Sequence, residues 1–463
     1  MSKYKSLFFR YFLLLFIIAN AFYWQGAVSA QSPIAFHEHS HENNFPGELI
    51  FRTTAAASGG EITSARLIYT TDNRYSSDSF TKVNLEISPA AEIDLEYAWD
   101  TEEITIPPSA PIMYYWEVAD SNGNTARSEE ITIRYDDTRY DWQILENENV
   151  GVWWHGKPEA FGKSVFEIAN RALAAQYPLF QTDLDFQIRI IIYNNFDEFA
   201  AWHGVAHEWV GGEAFTNYGI TTQIVQGSAF QESWLNGVIP HEISHLYFAQ
   251  VTYNPTTSIP VWLNEGLAQY NEFISHQWEL NQVYKAVEDG SLIHLSALNN
   301  GFGAYNEERV YLAYNESLSA VTFFVEAYGE DELAALLASY KQGLSTDDAL
   351  QAVIGMDMEG FERAWAAWLG VPEGKYIIPT SIPSPTFYPS PTMMTFGTAD
   401  PNKPTSTPRP TSTTVPSSTP APPESVEEEP LAPERGPCLA AFPVLLIGLG
   451  SVFHLSNAKK KVR

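Results

Sequence analysis

The chain has 463 residues, of which 45% are apolar, 14% aromatic and 18% charged, and its formal net charge is −30. This composition excludes a mainly disordered protein and is sufficient for two or three folded units. The negative charge argues against nucleic acid as a partner, because phosphate binding needs clustered Lys and Arg. The single cysteine, Cys438, excludes an intrachain disulfide.

The first thirty residues have the pattern of a secretory signal. Lys3, Lys5 and Arg10 precede an apolar run, and the small residues of Val28-Ser29-Ala30 offer a cleavage site. We therefore predict a signal peptide over residues 1–30. The alternative is an uncleaved anchor helix, because the apolar stretch that begins at Leu7 is long.

Residues 33–137 alternate apolar and polar side chains in short runs, most clearly over residues 48–52, 65–70 and 113–118. Turn residues such as Asp120-Ser121-Asn122-Gly123-Asn124 separate the runs. Short strands at this spacing predict a β-sandwich domain of immunoglobulin or fibronectin type. By pattern alone, the region resembles the sandwich modules of bacterial surface proteins.

This β region also contains the letters of a metal-binding motif, His37-Glu38-His39-Ser40-His41. No apolar helical residues flank the segment, and Asn43-Asn44-Phe45-Pro46-Gly47 follows it. We interpret it as a solvated segment rather than a catalytic one.

Residues 138–372 change to a mixed pattern of helices and strands. The run over 186–193 predicts a strand, and the residues over 211–225 predict two strands joined at 217–219. Helical periodicity is visible over 158–177 and again over 317–340. The pattern therefore predicts an α+β domain.

The strongest motif of the chain is His241-Glu242-Ile243-Ser244-His245, which matches H-E-x-x-H. Residues four apart lie on one face of a helix, so both imidazoles can converge on one metal ion. Glu242 is rotated by about 100° from His241, which places its carboxylate beside that ion. Pro240 lacks a backbone donor, so we expect the helix to start close by or to be kinked there.

A candidate third metal ligand follows in the sequence, at a spacing that allows it to lie on a second helix. Glu265 lies twenty residues after His245, within Val261-Trp262-Leu263-Asn264-Glu265-Gly266-Leu267-Ala268-Gln269-Tyr270. Pro255 and Pro260 turn the chain in between, so a second helix can return antiparallel and deliver the carboxylate. Two histidines and one glutamate with an open fourth position are typical of catalytic zinc. The alternative is a pair of amphipathic helices with an incidental buried pair of histidines.

These motifs together resemble the gluzincin metallopeptidases, and within them the peptidase MA-like and aminopeptidase-related families. Those families read H-E-x-x-H followed by x-x-N-E-G-x-A, and the matching residues here are His241, Glu242, His245, Asn264, Glu265, Gly266 and Ala268. The resemblance is close over residues 238–275. It implies a gluzincin metallopeptidase domain over 138–372, with His241, His245 and Glu265 as Zn2+ ligands and Glu242 as general base.

The resemblance also implies a tyrosine that donates a hydrogen bond to the oxyanion. Tyr314 stands at the matching place, just before a helix predicted to begin at Ser317, and Tyr311 is the fallback. The segment over 211–215 departs from the aminopeptidase pattern, in which a glutamate grips the free amine of the substrate. The resemblance therefore implies a peptide or protein substrate and leaves endopeptidase and aminopeptidase action open.

The other aromatic and histidine side chains give weaker evidence of a functional role. His203 and His207 are four apart, but Gly204 interrupts the pattern, so we predict an ordinary loop or helix end. Trp153-Trp154 is interpreted as core or as the wall of a cleft.

The pattern over residues 373–463 predicts a stalk followed by a membrane anchor. Residues 373–436 are rich in Pro, Ser and Thr and predict a disordered stalk. An apolar run over 437–457 predicts a transmembrane helix, and the basic tail over 458–463 places the catalytic domain outside, at the cell surface. The arrangement also resembles bacterial C-terminal sorting signals, with Cys438 where their short motif lies, which would make the anchor temporary.

The leading hypothesis is an active zinc metallopeptidase that hydrolyses peptide bonds at the cell surface through a metal-activated water. One alternative is a catalytically inactive, peptidase-like surface binding or adhesion protein, which the β module, stalk and anchor would suit. Another is a non-peptidase hydrolase that uses the same metal site. The presence of every residue needed for the chemistry favours the enzyme.

Overall fold

The computed structural model describes residues 33–71, 74–75, 80–102, 105–203, 211–226, 232–302, 305–372 and 374–376. The predicted signal peptide, transmembrane helix and basic tail lie outside these residues, as does the predicted stalk apart from residues 374–376. Within the described residues, no helix is both long enough and apolar enough to cross a membrane.

The N-terminal region consists of antiparallel strands, as the alternation predicts. Their bounds are β1 Ile34–Asn44, β2 Glu48–Ala57, β3 Ile62–Thr71, β4 Thr81–Leu85, β5 Glu92–Asp100, β6 Ala110–Asp120, β7 Thr125–Arg127 and β8 Ile131–Tyr135. One sheet has the order β1-β2-β5, and the other has the order β4-β3-β6-β7, with β8 also paired to β6. Buried side chains of both sheets join one apolar cluster. The immunoglobulin or fibronectin type of this arrangement stays a prediction.

The first H-E-x-x-H segment lies in β1, at the edge of its sheet. The β1–β2 register shifts between His37 and Ser40, and Glu38 has a φ of 54°. His37 and His41 are exposed. Because the segment is a strand, it lacks the helical face on which two histidines four apart would converge.

The next five strands form a mixed sheet. Their bounds are β9 Gln143–Glu146, β10 Val150–Trp154, β11 Ile188–Tyr193, β12 Gly212–Phe215 and β13 Ile220–Ile224. The order is β12-β13-β11-β10-β9, in which the three central strands are parallel and each edge strand is antiparallel to its neighbour. The predicted strand over 186–193 and the predicted strand pair over 211–225 are both present.

This mixed sheet is buried on both faces. Val152, Ile190 and Ile192 belong to the core that the helices cover. Trp153 and Ile191, which alternate with them along the strands, belong to the apolar cluster of the N-terminal sheets. The predicted division at residue 137 therefore falls where one apolar core continues from the N-terminal sheets into the mixed sheet.

A buried ion pair lies at the same junction. Arg139 donates two hydrogen bonds to the carboxylate of Asp137, at 2.9 and 2.7 Å. The Tyr193 hydroxyl on β11 donates to Asp137 Oδ2 at 2.9 Å. These bonds fix the segment that leads from β8 into the mixed sheet.

Helices lie between and after these strands. Most of them cover the face of the mixed sheet opposite to the N-terminal sheets, whereas Phe199 of the short helix over residues 196–200 packs in the apolar cluster of those sheets. The bounds of the helices are α1 Glu159–Phe180, α2 Phe196–Ala200, α3 Glu232–Thr252, α4 Val261–Tyr270, α5 Gln277–Asp289, α6 Glu307–Tyr328, α7 Glu330–Lys341, α8 Thr346–Ile354 and α9 Met358–Trp368. The periodicity over 317–340 corresponds to α6 and α7. Gly329, with a φ of 104°, separates these two helices.

Candidate metal centre

The helix that carries the motif, α3, runs through Pro240 and begins at Glu232 in the described residues. Of the two alternatives expected at Pro240, a helix start close by is therefore wrong, and a kink stays a prediction. Pro240 has no N–H to donate to the Asn236 carbonyl four residues earlier. The backbone N–H of Phe273 donates to that carbonyl instead, at 2.8 Å. This donor from beyond α4 compensates for the proline and ties the end of α4 to α3.

The helix α4 returns beside α3 and brings Glu265 to the two histidines. Glu265 Oε2 lies 3.7 Å from His241 Nε2 and 3.6 Å from His245 Nε2. Candidate ligand atoms of the three residues all lie within 4.8 Å of one another. All three side chains are buried, with His241 0%, His245 5% and Glu265 6% exposed. The sequence predicts this convergence, and the geometry agrees with it.

These distances fit a tetrahedral metal ion. Ligands at roughly 2.0–2.1 Å from zinc are separated from one another by roughly 3.4 Å in a tetrahedron. The two distances to Glu265 Oε2 exceed that separation by only a few tenths of an ångström. A small contraction would therefore bring Glu265 Oε2 to a metal-binding distance together with either histidine nitrogen.

Each imidazole is held from its other nitrogen. His241 Nδ1 lies 2.7 Å from Glu272 Oε1, and His245 Nδ1 lies 2.9 Å from Asn264 Oδ1. Both oxygens accept, so the Nδ1 atoms carry the protons and the Nε2 lone pairs can serve a metal. From the sequence, Glu272 and Asn264 are near the motif, but no pattern assigns them to particular rings.

The charges around the site favour a cation. Burial lowers the pKa of His241, but hydrogen bonds with the carboxylates of Glu265 and Glu272 outweigh burial and raise it to about 10. Burial lowers the pKa of His245. The carboxylates thus stabilise one positive charge between them, and a divalent metal ion at the same point would satisfy them in place of a proton.

Glu242 is fully buried, and neither oxygen of its carboxylate has a hydrogen-bond partner in the part of the chain that the structure describes. Burial raises the pKa of Glu242 well above its usual value, and the carboxylate of Glu265 adds to this effect, while His241 opposes it. A buried carboxylate without partners is destabilising unless something else binds it. A water molecule or substrate group beside the metal point would supply that partner.

The backbone of β12 lies directly against Glu242. A Cβ atom built on Gly212 would be 2.5 Å from Glu242 Oε1 and 2.9 Å from Val238 Cγ2. Only glycine therefore lets the strand approach the carboxylate this closely. No motif in the sequence predicts this contact, although the pair Gly211-Gly212 at the start of an edge strand is a local signal for a close approach of the backbone.

Tyr314 lies inside α6 rather than before a helix, so the expected start at Ser317 is wrong. Its side chain is 4% exposed, and its ring packs edge-on against Phe302 with a centroid distance of 4.9 Å. Tyr311 lies one turn earlier on the same helix and is half-buried. The oxyanion role of either tyrosine stays a prediction.

The remaining aromatic and histidine predictions have clear outcomes. Trp153 and Trp154 are buried on opposite faces of the mixed sheet, which confirms that they are core residues. His203 is buried, and its Nε2 lies 2.8 Å from Glu213 Oε2. His207 lies outside the described residues.

Comparisons with known proteins agree with the motif. Residues 169–371, less than half of the chain, match the family model of the Peptidase MA superfamily. This segment contains both helices of the candidate metal centre. The resemblance to this group of metallopeptidases is thereby confirmed. No curated protein sequence matches the chain.

Two solved structures are similar in part. Aminopeptidase A of Legionella pneumophila, solved with aspartic acid, aligns at 10% identity and a TM-score of 0.31 over 72% of this chain and 49% of its own. An aminopeptidase N family protein of Idiomarina loihiensis aligns at 11% identity and a TM-score of 0.36 over 71% of this chain and 75% of its own. The chain thus spans about half the length of the Legionella protein.

Proposed function

We propose that the protein is a zinc metallopeptidase that hydrolyses peptide bonds of peptides or proteins. The observation that carries the proposal is the buried Glu242 carboxylate, which lies next to a helix face where His241, His245 and Glu265 converge. The match of residues 169–371 to the Peptidase MA superfamily supports a metallopeptidase at the level of class.

The three donor groups favour zinc as the bound metal. Two imidazole nitrogens and one carboxylate are the ligands of catalytic zinc in one of its common arrangements, and they leave a fourth position for water or substrate. When bound, zinc polarises the scissile carbonyl and makes water acidic enough to attack near neutral pH. Glu272 and Asn264 would orient the two rings toward the ion through their Nδ1 contacts.

Glu242 is the proposed general base. Its carboxylate accepts a proton from the attacking water and then delivers that proton to the leaving amine. Burial favours the protonated carboxyl group, as the raised pKa of Glu242 indicates, and this helps the residue to take the proton. Tyr314, or Tyr311 in its place, is the proposed donor to the oxyanion.

The strand β12 is the proposed platform for the substrate. It is an edge strand of the mixed sheet, and its backbone touches the Glu242 carboxylate. An extended peptide could pair with its outer edge and so present a peptide bond to the metal. On this strand, Glu213 Oε2 lies 2.8 Å from His203 Nε2.

Peptides with blocked amino termini would distinguish endopeptidase from aminopeptidase action, because an aminopeptidase needs a free amino terminus in its substrate.

The paired test compares the wild type with Glu242→Gln. We expect both proteins to bind one equivalent of zinc, and only the wild type to cleave a mixed peptide library. Glu359→Gln, an exposed change on α9, is the matched control and should behave like the wild type. If the wild type binds no zinc, or if wild type and Glu242→Gln are equally inert, the inactive binding protein becomes the better account.

We also propose that the enzyme acts at the cell surface, held by a C-terminal transmembrane helix. This proposal is supported by the sequence patterns over 1–30 and 437–463 alone. Protease treatment of intact cells that express the full chain is the test. Release of the catalytic region from intact cells supports the proposal, and complete protection contradicts it.

A further inference from the structure

Tyr376 lies at the start of the predicted stalk, yet it packs against the peptidase-like region. Its ring is half-buried, with centroid distances of 4.8 Å to the ring of His294 and 6.4 Å to the ring of Trp365. It is one of the apolar side chains that contact the core of the helical region. The folded region therefore continues to Tyr376.

The Tyr376 hydroxyl binds a buried carboxylate. It donates to Glu362 Oε1 at 2.7 Å, and Glu362, on α9, is 0% exposed. Burial raises the pKa of Tyr376, and the Glu362 carboxylate adds to this effect, so the hydroxyl keeps its proton and acts as the donor. A hydrogen bond to a carboxylate is roughly twice as strong as one between neutral groups. This bond therefore fixes Tyr376 on α9.

Glu362 and Tyr376 together hold the loop between α5 and α6. Glu362 accepts hydrogen bonds from the backbone N–H groups of Leu295, at 2.9 Å, and Ser296, at 3.2 Å. The Tyr376 hydroxyl lies 3.3 Å from the carbonyl oxygen of Ile293. The loop is thus bound to α9 by one carboxylate and to the start of the predicted stalk by one hydroxyl.

The same loop binds α6, and α6 lies against the helix that carries the third candidate metal ligand. The Ile293 N–H donates to Glu316 Oε1 at 2.9 Å, and Glu316 is fully buried on α6. Glu316 directly precedes Ser317, whose backbone lies so close to Gly266 on α4 that it leaves no room for a Cβ atom there. Gly266 in turn directly follows Glu265. Contacts therefore run without a break from Tyr376 to α4.

We propose that Tyr376 is a positioning residue for the metal centre, which it supports through Glu362, the loop before α6, and α6 itself. The proposal rests on the proposed metallopeptidase function, because it assumes that Glu265 binds the metal. Metal sites need ligand distances within about 0.2 Å of their ideal values, so a small displacement of α4 weakens binding. A cut in the chain before Tyr376 would accordingly weaken metal binding, whereas a cut after it would preserve metal binding.

Hydrogen exchange of the full-length, metal-free protein tests whether this support reaches α4. Tyr376→Phe keeps the ring and removes only the hydroxyl. A hydrogen bond to a charged group contributes roughly a factor of ten or more to a local equilibrium, so we expect the Ile293 and Leu295 amides to exchange about tenfold faster. The amides of α4 should also exchange faster, by about threefold or more.

Titration with Co2+ measures the effect on the metal centre itself, because the visible absorption of bound Co2+ depends on the positions of its ligands. Loss of a group that contacts a metal ligand directly reduces affinity about 10–100-fold. Tyr376 acts through intermediate residues, so we expect Tyr376→Phe to weaken Co2+ binding about three- to tenfold and to change the absorption bands. Tyr284→Phe, which changes a 42% exposed tyrosine on α5, is the matched control and should behave like the wild type.

Two variants of Glu316 test the link between the loop and α6. Glu316→Leu removes the acceptor for the Ile293 N–H and should weaken Co2+ binding to a similar extent as Tyr376→Phe. Glu316→Gln keeps an acceptor at the same place and should bind Co2+ like the wild type. This pair separates the effect of the hydrogen bond from that of the buried side chain.

The two measurements give distinct outcomes. Faster exchange in α4 of Tyr376→Phe together with weaker Co2+ binding supports the proposal. Faster exchange confined to the loop, or Co2+ binding as tight as in the wild type, overturns it and leaves Tyr376 with a local structural role. If the wild type binds no Co2+, the proposed metallopeptidase function fails, and exchange in α4 of the metal-free protein still decides whether Tyr376 positions that helix.

Discussion

The Glu242 carboxylate and the backbone of Gly212 lie in direct contact, so close that a Cβ atom on residue 212 would be 2.5 Å from Glu242 Oε1. This contact joins the proposed general base on α3 to the edge strand proposed to bind the substrate. The position of the base relative to a peptide on β12 is therefore set by the absence of a side chain at residue 212.

Gly212→Ala should accordingly impair catalysis while the metal ligands stay in place. The new methyl group would displace the Glu242 carboxylate, and a displacement of about 1 Å of a reacting group can reduce turnover about 100-fold. We expect kcat for a cleaved peptide to fall by about this factor, with zinc content unchanged. Gly59→Ala is the matched control, because a Cβ there would meet nothing within 4 Å. Wild-type turnover in Gly212→Ala would contradict the proposed role of this contact.

Glu272→Ala should weaken metal binding without removing a ligand. Glu272 Oε1 lies 2.7 Å from His241 Nδ1 and holds the ring in position. Loss of such a partner reduces metal affinity about 10–100-fold. Competition between the protein and a chromophoric chelator measures this affinity. Glu288→Ala, at an exposed position on α5, provides the control, and equal zinc affinity in both variants would show that Glu272 does not support the ligand.

The convergence of the two candidate histidine ligands could be predicted from the sequence because helical spacing alone places His241 and His245 on one face. The sequence left open whether α3 starts near Pro240 or runs through it, and helical spacing could not decide between the two. The continuity of α3 depends on the backbone N–H of Phe273, which is distant in sequence and replaces the missing donor. For Gly212, the pair Gly211-Gly212 indicates a close approach of the backbone, but the contact with Glu242 could not be predicted, because the two residues meet only through packing of the strand against the helix.

The burial of the mixed sheet likewise could not be predicted from local sequence patterns. The apolar run over 186–193 predicts a strand, but it does not say what covers each face. In the structure, Ile190 faces the helices and Ile191 faces the N-terminal sheets. The β region predicted as a separate module therefore shares a core with the sheet beside it, and only the long-range packing reveals this.

A pH-dependent effect is expected at Glu316, which is buried on α6. Its Oε1 accepts a hydrogen bond from the Ile293 N–H at 2.9 Å, and burial raises the pKa of its carboxyl group well above the usual value. A carboxyl group whose pKa is higher in the folded state stabilises the fold at low pH, and that contribution is lost as the pH rises through the folded-state pKa.

Glu316→Gln keeps an acceptor for the Ile293 N–H and cannot ionise. The variant should therefore gain stability over the wild type as the pH rises, with little difference between them near pH 4. Urea unfolding at several pH values measures the difference in free energy of unfolding. Glu308→Gln, an exposed change on the same helix, should show no such trend. A difference between wild type and Glu316→Gln that does not vary with pH would contradict the argument.

Gly266→Ala should destabilise the packing of α4 against α6. A Cβ atom on Gly266 would lie 2.2 Å from the backbone oxygen of Ser317, and a backbone atom in a helix cannot move aside as a flexible side chain can. Overpacking of this kind costs about 1–3 kcal/mol, whereas Gly→Ala in a helix gains only about 1 kcal/mol from propensity. Because the obstacle is backbone, we expect an overpacking cost near the upper end of this range, about 3 kcal/mol. The gain in propensity then leaves a net loss of about 2 kcal/mol in the free energy of unfolding.

The same change should also weaken zinc binding, because Glu265 directly precedes Gly266 and moves with α4. Gly360→Ala on α9 is the control, since its nearest neighbours are side-chain atoms at 3.1 Å or more that need to move only a few tenths of an ångström, and it should cost less stability than Gly266→Ala. Urea unfolding and chelator competition on both variants provide the measurements. If Gly266→Ala were as stable as the wild type and bound zinc as tightly, α4 would not be held in place by its close approach to Ser317, and the position of Glu265 would need another explanation.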